Sequence, residues 1–507
     1  MTYTKIRLFP FLALPALLIL ALVGDHARAA PVRLTPRKVV QRALKHNLGL
    51  KYERLAPDLT RAAEQVARAS FDTTLFSNVT GSGDGDRLRL DLPTGFRPGF
   101  DARIDADLGV RRTFVTGTRI EATVGGLLGI GSSGTSPDRM FFQTGARLYV
   151  RHPLLLGSSK DVNQAAITTA RLERSAAHQT LRRKAEQTAV EALKAYWDLH
   201  AALASLRIQE VALSQSRKVL AETRELIKAQ KIAASEAVEA IHQVKTEERA
   251  TLLAHQTVAN HRDKLSRLMG ITGARALLTP AFVTASRQGL PLPTQTLNDL
   301  HDTALRKRGD YRALQITQKS RKVDLRVSRH ALLPSFDLVG SVGVYGNNNT
   351  IDAAADPALG LVQGRVAWTF GFILEIPLSH REAKAKREIA DLRLRRAGIS
   401  IEQKKLLISE ELKVALRGLK AAQALVKLAD TSVKVAKTKV SNELARYRSG
   451  KTPGRLVALV RADLVQEQLA QQQAVATLHK ALVDVWATTG TLIKQVGEGR
   501  SGGRNGR

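Results

Sequence analysis

The apolar positions of this chain follow two different periods. Between Phe71 and Pro153 they alternate singly with polar ones, as in "ARIDADLGVRRTF" and "TRIEATVGGLL" around the turn Val115-Thr116-Gly117 and in "MFFQTGARLYVRHP". The alternation returns at Phe336–Tyr345 and Val362–Ile376, so strands are predicted over 73–152 and 336–376. Elsewhere the spacing is three and four. Leu419, Ala422, Val426, Ala429, Val433, Ala436 and Val440 keep that rhythm, and Leu199, Leu206, Leu213, Leu220 and Ile227 recur every seventh residue. A sustained seven-residue repeat holds one seam against a partner and implies left-handed supercoiling.

Two very long helices follow, 162–229 with neither proline nor glycine and 381–449 without proline. At ~1.5 Å per residue each spans on the order of 100 Å, which no compact domain holds, so each must lie against partners along its length. A short break follows each, and a shorter helix returns: 235–269 and 456–488.

The chain also repeats itself. "TPRKVVQRALKHNLGLKYERL" from Thr35 resembles "TLNDLHDTALRKRGDYRALQI" from Thr296 without a gap, and Thr35-Pro36 is a helix start with a capping hydroxyl and proline at the first helical position. Each copy reads helix, strands, long helix, tip turn, return helix. The first copy takes 30–270 and the second 296–490. A linker at 271–295 joins them, and 491–507 is a disordered basic tail. The first copy holds more strand-like sequence, an extra hairpin around 103–127. Phe76, Phe114, Phe141, Phe142, Tyr149, Tyr345, Trp368 and Phe370 sit near strand ends. Short alternating segments with aromatic ends suit a transmembrane β-barrel, and a soluble sandwich would show the same alternation.

Charge and leader decide the compartment. Lys5 and Arg7, the apolar run Leu8–Val23 and the small-x-small site Ala27-Arg28-Ala29 make 1–29 a secretory signal peptide. The formal charge is +32, and loss of the leader removes a net two to leave +30. Such a balance raises nucleic acid as a partner. The leader argues against it, and the basic residues are spread along helices as solvated faces. Cysteine is absent, which excludes disulfides and zinc-thiolate sites.

Together these residues resemble the TolC-like outer-membrane efflux protein family over about 34–490. The resemblance rests on the duplicated layout, on "ALKHN" and "ALRKRGD" opening the copies, on a proline after the last strand of each, and on the tips "IKAQKIAASEAVEA" and "YRSGKTPGRLVAL". It implies an α+β membrane protein, a homotrimer whose strands share one outer-membrane barrel continued by an antiparallel α-helical coiled-coil barrel in the periplasm. It implies a passive exit duct of a tripartite efflux or type I secretion system, meeting outer-membrane lipid, a periplasmic adaptor near 226–240 and 446–460, and an inner-membrane transporter. It implies no enzyme activity, cofactor or nucleic acid. The family's usual four strands per chain are exceeded by the extra hairpin. The rival is a soluble periplasmic coiled-coil scaffold with a β-domain.

At the second tip Gly450-Lys451-Thr452 ends like a phosphate-binding loop, but Ala445 stands where its first glycine belongs and a helix precedes it. A helix C-cap at Gly450 is the better reading. By the resemblance, Tyr447 and Glu236 are a gate pair, worth about 1.5–3 kcal/mol if charge-assisted. Leu456 and Leu459 stand where the family places an acidic ring, or Ala458 and Arg461 with a two-residue shift, so the constriction is apolar or basic and admits anions. His242, His255 and His261 lack metal-ligand spacing, and "GGLLGIGSSG" (125–134) is expected to be a loop.

Overall fold

A computed structural model describes residues 32–91, 95–133, 136–230, 232–271, 282–284, 290–348, 365–449 and 451–498. The expected signal peptide, the Asp/Ala-rich stretch after Asn349 and the last nine residues lie outside the described residues. In chain order the elements are β1 (Val32–Leu34), α1 (Pro36–His46), α2 (Leu48–Glu53), α3 (Leu55–Arg68), β2 (Thr74–Asp91), β3 (Gly95–Thr113), β4 (Arg119–Ser133) and β5 (Ser136–Pro153). Then come α4 (Lys160–Asn163), α5 (Ala165–Lys228), α6 (Ser235–Leu268), β6 (Phe282–Thr284), α7 (Leu297–Lys307) and α8 (Gly309–His330). β7 (Ser335–Asn348), β8 (Arg365–Glu375), α9 (Arg381–Arg448), α10 (Gly454–Thr488) and α11 (Leu492–Glu498) complete the chain. No described helix is long and apolar enough to cross a membrane.

The chain forms two compact units. The first takes residues up to 51, 185–301 and 411–507. Thr35 caps α1 by accepting from the Lys38 N–H at 3.3 Å, with Pro36 behind it. The apolar face of α1 then packs Val39 and Ala43 among Tyr196, Trp197 and Leu199 of α5 and Val258 and Leu265 of α6. A second cluster joins Val40, Leu193, Leu412, Val483 and Trp486, whose indole N–H donates to the Pro291 carbonyl at 2.9 Å. Each fully buried Leu or Val of this kind contributes about 1.5–3 kcal/mol. The seam read from sequence is the buried one: Leu419, Ala422, Val433 and Ala436 are all buried. α6 ends at Gly270, whose φ of +68° puts the site of a Cβ 2.2 Å from the His46 carbonyl oxygen, so only glycine fits.

Three expectations change here. The stretch 491–507 is not disordered from its start: α11 forms because Leu492, fully buried, and Val496 join the second cluster. The linker 271–295 contains β6, which pairs in parallel with β1 through Val32↔Phe282 to Leu34↔Thr284. The first long helix is interrupted near Gln164, so α4 is separate from α5.

The second unit takes 52–184 and 302–410. Its six described strands form one antiparallel sheet in the order β2-β3-β4-β5-β7-β8. Residues 125–133 are the far half of β4, not a loop. Gly125 lets Asp107 lie across the strand, since a Cβ there would meet its Oδ1 at 2.1 Å. The register sorts residues onto two faces. One carries Leu75, Val79, Ile104, Leu108, Val110, Val124, Leu148, Val342, Val366, Trp368 and Phe370, all exposed. The other carries Arg103, Asp105, Arg111, Glu121, Arg147 and Thr369. At the sheet base, the Arg151 Nε–H donates to Asp337 at 3.1 Å. At the start of α8, Arg308 is fully buried and donates to Asp310 at 2.8 Å, and the Lys404 ammonium lies 2.8 Å from the same carboxylate.

Candidate functional site

The tip belongs wholly to the first unit and is built by the ends of α5 and α9 and the starts of α6 and α10. α9 runs out at Arg448, where its last turn is basic, and the Lys451 N–H returns to the Arg446 carbonyl at 3.0 Å. That six-to-one bond closes a helix end of the Schellman kind. Pro453, at φ −74°, then sets the start of α10 two residues ahead of the expected Leu456. A helix-turn-helix stands where a nucleotide loop would need strand and helix. Gly450 itself lies outside the described residues. Its counterpart Gln230 has φ +54°, the left-handed conformation that glycine adopts freely and other residues at a cost.

Tyr447 and Glu236 line one narrow cavity between the four helices. They meet at Gly454: a Cβ there would be 2.9 Å from Glu236 Oε2 and 3.5 Å from the Tyr447 ring. The structure brings the pair together, but no hydrogen bond joins them among the described residues. Leu456 and Leu459 are exposed, 37% and 58%. Arg461 turns inward and lines the cavity with Glu222 and Arg448. Burial lowers its pKa first and the Arg448 charge adds to this, while Glu222 opposes both.

Sequence reasoning missed one group. Glu247 lines the same cavity, only 7% exposed, and accepts from Gln243 Nε2 at 2.9 Å. Burial raises its carboxyl above the usual range, and the Gln243 bond opposes the rise. The available signal was its position seven and eleven residues along α6 from Ala240 and Glu236, which shares their face. No group of three or more His, Asp or Glu in metal-holding geometry occurs among the described residues.

Residues 300–491 match the family model described as outer membrane efflux protein. Over that stretch the chain is similar to the outer membrane efflux proteins. An outer-membrane efflux channel with its helical part in the periplasm is the reading this match supports. Solved structures of similar fold include the CmeC outer membrane channel of Campylobacter jejuni, 16% identical with TM-score 0.64 over 90% of this chain and 86% of that one. VceC of Vibrio cholerae is 15% identical, with TM-score 0.65 over 90% and 96%. The open state of the MtrE outer membrane channel of Neisseria gonorrhoeae is 18% identical, with TM-score 0.60 over 91% and 90%. At these identities the likeness establishes the fold alone, long helices with an antiparallel sheet. No curated protein matches the chain significantly.

Proposed function

We propose that three copies of this efflux protein form one passive exit duct through the outer membrane, fed by an inner-membrane pump through a periplasmic adaptor. The sheet carries this reading. Its one face is continuously apolar and the other polar, and its outer strands β2 and β8 have no partner on one side among the described residues. In lipid every backbone group must be paired, so an open sheet of this kind has to be closed by further copies. An exposed apolar stripe on α9, with Leu392, Ile399 and Leu406 seven residues apart, supports a seam against a neighbouring copy. A soluble scaffold would leave both the stripe and the sheet face in water.

The two halves read as repeats. Gly270 stands forty residues past Gln230, and Gly490, also at positive φ, stands forty past Gly450. In this reading Tyr447 and Glu236, facing across Gly454, hold the periplasmic tip shut. Leu456 and Leu459 line its entrance without a carboxylate ring, Arg461 lies behind them, and an adaptor meets the turns near 226–240 and 446–460. Cell fractionation tests the core of the proposal. A heat-modifiable oligomer in outer membranes supports it, and a soluble monomer in the periplasm sinks it. Planar-bilayer recordings test the entrance. Anions should pass at least as well as cations, with no block by divalent cations on the tip side, and clear block or marked cation selectivity would contradict the assignment.

A further inference from the structure

We propose that the barrel of this protein has eighteen strands and a mouth wide enough to pass polypeptide folded as a helical hairpin. The proposal rests on the reading above, that three copies share one barrel. It starts from β3 and β4. Chains of four wall strands would close a twelve-stranded barrel. Here six described strands form one unbroken hydrogen-bonded series, so three copies give three times six.

The inserted pair is wall, not an excursion folded over it. β3 pairs with β2 from Thr74↔Arg111 to Asp91↔Gly95, and with β4 from Thr113↔Arg119 to Asp101↔Gly131. β4 in turn pairs with β5 from Arg119↔Arg151 to Ser133↔Ser136. The pair also obeys the two-faced pattern of the other strands: Ile104, Leu108 and Val110 lie on the apolar face, Arg103, Asp105 and Arg111 on the polar one. A hairpin plugging a water-filled lumen has no use for an apolar face.

Its turn is fixed to the base of the sheet. Gly117, at φ +82°, sits so close to Gly157 that a Cβ would come within 2.3 Å of the Gly157 oxygen. Asn163 Nδ2 donates to the carbonyls of Val115 at 3.0 Å and Gly157 at 2.7 Å. The Thr118 hydroxyl lies 2.8 Å from His152 Nδ1.

Width follows from strand number. With strands about 4.8 Å apart and tilted about 40°, eighteen enclose a backbone diameter of about 36 Å and twelve about 24 Å. Side chains take roughly 5 Å from each wall, half the spacing of packed sheets, leaving about 26 Å against about 14 Å. A helix with its side chains is about 10–12 Å across. The narrower mouth admits one helix, and the wider admits a helical hairpin. Charges of both signs on the polar face, Arg103 beside Asp105 at 2.9 Å and Arg119 beside Glu121 at 3.3 Å, keep such a lumen wet. Size selection then belongs to the helical tip, not to the barrel.

Polymer exclusion in planar bilayers tests this with the full-length protein. Neutral polyethylene glycols of graded size are added on the barrel side only, and partial filling of the lumen is read as a drop in residual conductance. Polymers about 20 Å across should enter, as the estimated opening requires. A variant lacking Gly95–Ser133, with β2 joined directly to β5, keeps the antiparallel order, because three successive antiparallel pairings separate those strands. It should exclude the same polymers and still admit smaller ones. Full-length protein that excludes them overturns the proposal, and its exclusion size decides the matter even if the variant fails to insert. The mass of the detergent-extracted complex, measured on the same sample, separates the two readings. A trimer with a narrow mouth sinks only this inference, and any other copy number sinks the trimer reading with it.

Discussion

Gln230 ends α5 in a backbone conformation that side chains resist, and its φ of +54° costs about 1–2 kcal/mol relative to a glycine. Gln230→Gly is therefore expected to stabilise the first tip by about 1 kcal/mol after the entropy of glycine is counted. Slower amide hydrogen exchange over 225–235 would show it, and faster exchange would refute it. Gly454 presents the opposite case. A β-branched side chain there pushes against Glu236 Oε2 and the Tyr447 ring. Gly454→Val should loosen the tip and raise single-channel conductance severalfold, while an unchanged conductance would remove Tyr447 and Glu236 from the gate. The meeting of these two residues was legible only through the family resemblance. Glu247 was not legible, because a glutamate on a helix reads as solvated until a neighbouring helix covers it.

At the scale of elements, the long helices were readable because a seven-residue apolar period over dozens of positions has one physical solution. The extra hairpin was readable as excess alternation, though not as the middle of one sheet, since pairing order is a property of the folded sheet. α11 escaped notice because its two core residues sit among glycines and charges. Two half-buried polar groups tie elements together and set acid sensitivity. Burial works to raise the Asp310 carboxyl, but hydrogen bonds from Arg308 and Lys404 outweigh it and hold the group well below the usual carboxylate range. Its stabilisation is present above that range and is lost only as pH falls through it. Asp310→Asn takes the negative charge from beside a fully buried Arg308 and should cost about 3 kcal/mol, read as a lower unfolding temperature of the second unit.

His479 of α10 stacks on Trp197 of α5 at 3.7 Å. Burial first and then the charge of His200 lower its pKa to about 4. Asp198, next to Trp197 in the chain, pairs with Lys480 and lies 4.0 Å from Lys264. Because the folded value lies below the unfolded value near 6.5, the neutral ring is favoured. Its contribution is complete above pH 6.5 and declines as pH falls toward 4. The unfolding temperature of the wild type should drop across that window. His479→Phe, which keeps the stack, should flatten the drop, and an equal drop in both proteins would exclude His479 as its source.

For the whole molecule, the charge of +32 points to no single partner, because the cations lie along helix faces and many pair locally, as Arg217 does with Glu248 at 3.0 Å. The elements of the fold were largely legible from the two apolar periods. The proposed trimer was expected from the family resemblance, and the open sheet supports it. The central claim is that β2 of one copy closes against β8 of the next within the outer membrane. The chain has no cysteine, so Asn78→Cys on β2 and Thr369→Cys on β8, both on the polar face, give a clean background for a bifunctional thiol linker. Treated outer membranes should yield covalent dimers and trimers that require both cysteines. Monomer alone, with both thiols shown to react with a small maleimide, would contradict the shared barrel.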